Sequence, residues 1–256
     1  MSNILAITEK ELKSYFASPI AYIVIGAFAV LYGWFFVVIL AYFLRQSMQV
    51  GMMQSGASAI NVNQMLIRPL LQNMTVMILF MLPAVTMRTY AEEKRSGTME
   101  LLLTSPLTDF QVIMGKFFGA MALYAVILAV SLVPILLLFR YGRPEWKEIM
   151  TSYLGLLLLG GCFISVGMFI SSLTKNQIVA FIGTFFVFLF LWVINWMGSM
   201  GGPTLDRLSS YLAIMDQFDD FSKGVIDTTH LIYYLSFMTF GLFLTAKSVD
   251  SERWRG

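Results

Sequence analysis

Charged residues are scarce in this 256-residue chain, at 12% of its composition. A soluble globular domain carries about 25% Asp, Glu, Lys and Arg, so the composition excludes an ordinary water-soluble protein. Hydrophobic residues make up 58% of the sequence, and the mean hydropathy is +0.75. The formal net charge of +2 is too small to form a surface for nucleic acid, so no nucleic-acid partner is predicted. The chain is predicted to be an integral membrane protein.

Residues that usually carry chemistry are also few. The single cysteine, Cys162, can form neither an internal disulfide nor a cysteine zinc site. Copper(I) could use the soft sulfur ligands of Met48, Met52, Met53 and Met65, but methionine is equally a flexible apolar filler, and no metal site is predicted. The sequence lacks both the phosphate-binding run Gly-x-x-x-x-Gly-Lys-Ser/Thr and a nucleophile elbow. We therefore predict no catalytic residue, no enzymatic activity and no cofactor bound by this chain.

Six apolar stretches stand out between the charged segments. A bilayer core about 30 Å thick needs roughly 20 helical residues to cross it. The stretches are 20–44, 70–87, 117–139, 152–173, 178–197 and 231–246. None has Asp, Glu, Lys, Arg or His in its interior, which disfavours a secondary carrier or ion channel, since these need charged or broken-helix sites near the midplane. The predicted fold is all-α, with one membrane domain over 1–256 built from six transmembrane helices.

An amphipathic segment, about 4–17, precedes the first stretch. Its side chains divide at helical spacing into an apolar set and a charged set: Ile4, Leu5, Thr8, Leu12, Tyr15 and Phe16 against Glu9, Lys10 and Lys13. A helix of this kind lies in the membrane surface. Ser18 and Pro19 separate it from the first span, because proline opens a helix well and disfavours helix in the residue before it. We call this predicted interfacial helix the elbow helix.

Six spans place both chain ends on one side of the membrane. With the termini inside, ten of the 17 Lys and Arg residues fall in inner segments and seven in outer ones. The excess of positive charge favours cytoplasmic termini. The inner loops are then 88–116 and 174–177, and the longest outer segment is 198–230.

In loop 88–116, segments with helix-forming sequence are separated by residues that end helices. Residues 88–95 are predicted to continue the second span, and Gly97 to end it in a left-handed cap. Thr98 can cap a new short helix in which Glu100 suits the helix dipole and 101–103, three leucines, form the apolar side.

The same loop ends with equally clear signals. Ser105 and Pro106 stop the short helix, and Thr108 with Gln111 forms a capping box that starts the third span. A compact helix at the mouth of the membrane domain is suited to docking a partner, which would cover its leucines. Alternatively, the leucines pack only against neighbouring helix ends.

Two motifs resemble a known family. The run 92–106, EEKRSGTMELLLTSP, followed by Gly115-Lys116, resembles the cytoplasmic loop signature of type-2 ATP-binding-cassette exporter permeases. The opening 10–16, KELKSYF, with 18–22, SPIAY, is similar to the gliding-motility branch of that family. The resemblance implies six spans, an elbow helix, a short cytoplasmic coupling helix and a partly re-entrant outer segment within 198–230.

The resemblance also implies a function and partners. The chain would be the permease subunit of an ATP-driven transporter in the bacterial cytoplasmic (inner) membrane, coupling hydrolysis by a separate ATPase to export or mechanical work. ATP and magnesium would be bound by a cytoplasmic ATPase dimer. Further expected partners are a second permease copy or a homologous permease, an accessory protein on the outer face and membrane lipid. The alternative function is a non-transporting membrane scaffold of an envelope or motility complex.

Two sets of residues carry these expectations. The ATPase-coupling set consists of Glu92, Glu93, Gly97, Thr98, Glu100, Leu101, Leu102, Ser105 and Pro106. The elbow-helix set consists of Lys10, Leu12, Tyr15 and Phe16. The three glutamates are expected to meet basic residues of the ATPase, while the leucines fill a groove on it.

Overall fold

The computed structural model describes residues 2–52, 61–99, 106–142, 144–200 and 213–253. Within these ranges the secondary structure is helical, without strands. The helices are α1 Ser2–Ala17, α2 Pro19–Met52, α3 Arg68–Thr86, α4 Ala91–Ser96, α5 Asp109–Tyr141, α6 Trp146–Leu173, α7 Gln177–Met200, α8 Asp216–Ser222 and α9 Thr228–Arg253. A π-helical turn, Asn63–Ile67, leads directly into α3.

Six of the described helices are long and apolar enough to cross a membrane. They are Pro19–Gln49, Asn63–Ser96, Asp109–Tyr141, Trp146–Leu173, Gln177–Ile194 and Thr228–Glu252. The predicted all-α fold with six spans is therefore confirmed. The helices extend beyond the apolar stretches because polar residues at their ends continue the backbone hydrogen bonding. The last stretch, 231–246, for example, lies within a helix of 26 residues.

Helix α6 lies at the centre of the bundle. It packs against α3, α5, α7, α8 and α9, and most residues of its span are buried, whereas few residues in the spans of α2, α7 and α9 are buried. Glycines allow the close approach: a Cβ atom on Gly160 would lie 2.1 Å from the ring of Tyr124, and one on Gly167 would lie 2.2 Å from Thr86 Oγ1. The exposed faces suit lipid or another subunit, while α6 is the internal axis.

Helix α1 and the last turn of α9 lie at the same end of the bundle, here called the terminal end. Glu252, near the end of α9, forms a 2.6 Å ion pair with Lys94 in α4. The other end, called the opposite end, contains the π-helical turn, residues 144–148 and α8. Residues 201–212 of the predicted outer segment 198–230 lie outside the described residues. Helix α8 packs on α6 at the opposite end.

The second span differs from its prediction at the terminal end. The sequence predicts continuous helix through 88–95, but residues 87–90 form a turn, and helix resumes as α4. The turn is stable because a side chain from α6 satisfies its backbone groups, as described below. Gly97 ends α4 with φ of 74°, which confirms the predicted left-handed cap.

Candidate functional site

At the terminal end, α1 lies against the beginning of α5. Two glycines one turn apart on α5 allow this contact. A Cβ atom on Gly115 would lie 2.5 Å from the side chain of Ile7, and one on Gly119 would lie 2.7 Å from Glu11 Cβ. Thr8 also donates a hydrogen bond to the carbonyl oxygen of Gly115 at 3.2 Å. The two glycines thus form the surface of α5 against which α1 packs closely.

A buried lysine stands at the meeting point of α1, α4 and α5. The side chain of Lys116 is only 2% exposed, and its ammonium group contacts Glu11 of α1 at 3.1 Å and Glu93 of α4 at 2.7 Å. It also donates to the carbonyl oxygen of Thr89 at 2.9 Å and lies 5.2 Å from the ring centre of Tyr90. A buried charge is tolerated only when paired and hydrogen-bonded, and here three elements supply the partners. We call Lys116, Glu11 and Glu93 the shared-lysine cluster.

The shared-lysine cluster borders a cavity of about 490 Å³. Lys10 lies 3.6 Å from Glu11 and 3.8 Å from Glu93, beyond normal hydrogen-bonding distance for either. Across the cavity, Arg88 makes two hydrogen bonds to the carboxylate of Glu92, at 2.8 and 3.0 Å. Three positive and three negative side chains therefore line one pocket between α1, α4 and α5.

The predicted elbow residues form a helix that is attached to the bundle. Tyr15 is buried and donates a hydrogen bond to the carbonyl oxygen of Val85 at 3.2 Å; burial raises the pKa of its phenol above the ordinary value. Leu12 and Phe16 are half-buried against the apolar core, while Lys10 is exposed beside the cavity. The apolar side of α1 therefore faces the protein.

The predicted coupling residues are partly within the described structure. Glu92 and Glu93 are both used inside the chain, by Arg88 and by Lys116 respectively. Gly97, Thr98 and Pro106 are exposed. Four more members lie outside the described residues: Glu100, Leu101, Leu102 and Ser105. Their proposed contacts with an ATPase stay predictions.

Sequence reasoning missed the role of Lys116 and Glu11. It placed Lys116 in the loop 88–116, whereas the residue lies two turns inside α5, which begins at Asp109. The capping box of Thr108 and Gln111 is present as predicted, so the helix start was readable. The available signal was the position of Lys116, which lies two turns beyond this cap and next to Gly115. A lysine at such a position, inside the helix and beside a small residue, could have been expected to be buried.

The opposite end has its own polar cluster. Asp219 in α8 accepts hydrogen bonds from Arg68 at 2.7 Å and from Gln72 at 3.1 Å, and it contacts Lys223 at 2.5 Å. His230 of α9 lies 2.9 Å from Asp220. Burial acts to raise the pKa of Asp219, but Lys223 and Arg68 outweigh it and hold the pKa below the ordinary value. This cluster fastens α8 to the beginnings of α3 and α9.

Within the described residues, no group of three His, Cys, Asp or Glu side chains could hold a metal ion. His230 Nε2 lies within hydrogen-bonding distance of Asp220, and Cys162 is buried in the packed core of α6. The arrangement as a whole is a multi-pass helical membrane protein whose two ends are fastened by polar clusters.

Comparison with known proteins gives the family. Residues 5–248 match the model of the ABC-2 family transporter proteins, and the chain belongs to that family. It is 33% identical over 101 residues to the "Probable multidrug ABC transporter permease YbhR" of Escherichia coli strain K12, and equally to that of Escherichia coli O157:H7. The matched segment covers 40% of this chain and 27% of each relative. The family and its relatives identify the chain as a transporter permease subunit; the gliding-motility branch stays a prediction.

Proposed function

We propose that this chain couples ATP hydrolysis in a separate ATPase subunit to movement of its membrane helices, and thereby to export. The ATPase would bind at the terminal end, against α4 and the segment that follows it. ABC-2 permeases in general pair with an ABC ATPase subunit, which would bind ATP and magnesium. The terminal end is then cytoplasmic, and the membrane is the bacterial inner membrane.

The shared-lysine cluster is the observation that carries the proposal. A force applied to α4 needs a stiff connection to the spans, because a flexible loop would absorb the displacement. Lys116 provides that connection, since its side chain is only 2% exposed and both its carboxylate partners lie on other elements. Moving α4 away from α5 would separate the buried ammonium group from Glu93 and leave it Glu11 as its one carboxylate partner in the cluster, which is unfavourable.

Helix α1 takes part in the same connection. Glu11 reaches Lys116 from α1, and the close contact at Gly119 holds that carboxylate in place. Displacement of α4 is therefore passed to the elbow helix and to the third span together. The exposed residues Gly97 and Thr98 at the end of α4 are available for partner contact, in keeping with their place in the predicted coupling set.

The proposal is tested by co-purification and by coupling. The tagged chain is purified from its native membranes, and accompanying polypeptides are searched for an ABC ATPase. We expect such an ATPase to be retained by the wild type, to be lost with the double variant Glu100→Ala with Leu102→Arg, and to be retained with Lys116→Met. Absence of any ATPase, with normal assembly into a larger envelope complex, would instead indicate the scaffold function.

The second measurement separates binding from coupling. The complex is reconstituted in nanodiscs, and ATPase activity is compared with that of the ATPase alone. Lys116→Met is expected to retain the ATPase yet lose the effect of the permease on its activity, because the stiff connection is gone. The matched control is Lys13→Met, which removes an exposed lysine of α1 whose ion pair is with Glu9 on the same helix. Unchanged coupling in Lys116→Met would contradict the proposal.

A further inference from the structure

One hydroxyl group bridges the two sides of the turn between α3 and α4. A helix start leaves its first backbone N–H groups without helical partners, and Tyr90, the residue that precedes α4, makes no side-chain cap. The N–H groups of Tyr90 and Ala91 both donate to Ser171 Oγ, each at 3.1 Å. The Ser171 hydroxyl in turn donates to the carbonyl oxygen of Met87 at 3.0 Å. One buried side chain of α6 thus holds both sides of the turn.

The next residue of α6 holds α4 by its backbone. Lys94, whose side chain is 4% exposed, donates to the carbonyl oxygen of Ser172 and pairs with Glu252 at 2.6 Å. The Ser172 hydroxyl makes different contacts, with the carbonyl oxygen of Phe169 and with Ser248. The last turn of α6 is therefore the attachment point of α4, and the two serine hydroxyls have separable roles.

At its other end α6 holds α8. Thr151 and Ser152 donate to the carbonyl oxygen of Phe221 at 3.1 and 3.3 Å. A Cβ atom on Gly155 would lie 2.7 Å from Phe221. From Thr151 to Ser171 the helix rises about 30 Å at 1.5 Å per residue, which is the thickness of a bilayer core. One rigid element thus contacts α4 at the terminal end and α8 at the opposite end.

We propose that Ser171 is the positioning residue that joins α4 to α6, so that displacement of α4 displaces α6 and, through it, α8 at the far side of the membrane. The inference rests on the proposed function in one respect: α4 must receive force from an ATPase. The attachment itself is a property of this chain alone. Two experiments therefore test the two parts separately.

The first experiment measures the attachment without any partner. Amide hydrogen exchange is followed for α4 in nanodiscs holding only this chain, comparing Ser171→Ala with Ser172→Ala. In Ser171→Ala, exchange at residues 90–96 is expected to be at least tenfold faster, because two N–H groups lose their acceptor. In Ser172→Ala it is expected to change less than twofold, since the carbonyl oxygen remains. Ser171→Cys, which keeps the size and a weak acceptor, is expected to fall between. Equal exchange in both alanine variants would overturn the inference.

The second experiment measures transmission in the complex. Cys162 is the single cysteine of the chain, so Cys162→Ala gives a background for site-specific labels. A bimane label is placed on Arg95→Cys, an exposed residue of α4, or on Val225→Cys, which follows α8 and is 52% exposed. ATP with vanadate is expected to change the emission of both labels. Ser171→Ala is expected to leave the response at position 95 and to reduce that at position 225 by at least half.

The outcomes distinguish the two claims. A full response at position 225 in Ser171→Ala would overturn the inference while leaving the proposed function intact. Failure of any ATPase to bind the wild type would overturn the proposed function, and the exchange rates of α4 would still decide whether Ser171 holds it. Equal loss of the response at position 225 in Ser172→Ala would show a general weakening of α6 and would count against Ser171 as the positioning residue.

Discussion

The two ends of the bundle hold their charges in different surroundings. At the terminal end, Lys116 is 2% exposed and serves two carboxylates on two other helices. At the opposite end, Arg68 and Lys223 are 29% and 42% exposed around Asp219, which is itself 40% exposed. Exposed ion pairs contribute little and exchange readily with water, whereas a buried pair becomes costly once one partner is removed. The comparison indicates a stiff terminal end and a compliant opposite end.

The largest expected effect is that of removing the shared lysine. Lys116→Met should destabilise the protein by about 3–5 kcal/mol, because Glu11 and Glu93 are left close together and largely buried, with the exposed Lys10 as a weak remaining partner. Thermal unfolding in detergent micelles measures the effect. The triple variant Lys116→Met with Glu11→Gln and Glu93→Gln should recover most of the stability, since none of the three charges of the shared-lysine cluster remains. A triple variant as unstable as Lys116→Met would show that packing, not charge, dominates.

The next effect tests whether close packing keeps the shared-lysine cluster assembled. Gly119→Ala places a methyl group 2.7 Å from Glu11 Cβ, so α1 must shift, at a cost of about 1–3 kcal/mol. Gly26→Ala is the matched control, because nothing lies within 4 Å of its added Cβ atom. The melting temperature should fall for Gly119→Ala and stay within experimental error for Gly26→Ala. Similar melting temperatures for the two variants would contradict the close packing of α1 against α5.

A smaller effect is expected at the opposite end. Asp219→Asn should cost at most about 1 kcal/mol, because its partners Arg68 and Lys223 are partly solvated and can pair with water. Raising the salt concentration from 0.1 to 1 M should narrow the difference between variant and wild type, since exposed charges are screened. A loss as large as that in Lys116→Met would remove the contrast between the two ends.

The smallest effect is the pH dependence of the same carboxylate. The pKa of Asp219 lies below its ordinary value of 3.8, so its ionised form is favoured by folding. Its contribution to stability is therefore fully present above the ordinary value and is lost as pH falls through the lowered one. The difference in melting temperature between wild type and Asp219→Asn should be constant from about pH 7 to pH 5 and shrink only below about pH 3.8. A difference that vanishes near pH 6 would contradict this assignment.

Sequence reasoning found the local features and missed the distant contacts. The six spans, the cap at Gly97 and the capping box at Thr108 follow from hydrophobic runs and short signals, and the structure confirms them. The burial of Lys116 could not be derived in the same way. The third apolar stretch begins after this lysine, so hydropathy alone marks Lys116 as the boundary of the span and does not show whether its side chain is buried. Its burial depends on Glu11, 105 residues away, and on the close packing of α1 against α5 that Gly119 allows.

The turn at 87–90 was missed for a similar reason. Its residues have no strong helix-breaking signal, and the hydroxyl that stabilises the turn comes from Ser171, about 80 positions later in the chain. Local sequence signals describe a helix and its own caps, but they contain no information about a side chain supplied by another span. The same limit applies to α8, whose attachment depends on Arg68 of α3.

One lysine shared by two carboxylates also constrains how this protein can change over evolutionary time. Replacing Lys116 alone removes the partner that Glu11 and Glu93 share, and replacing either glutamate alone leaves the lysine with a single carboxylate. Homologous sequences should therefore either keep all three residue types or exchange them together for neutral ones. Lineages carrying a mixed set should be short-lived or should show a compensating charge close by.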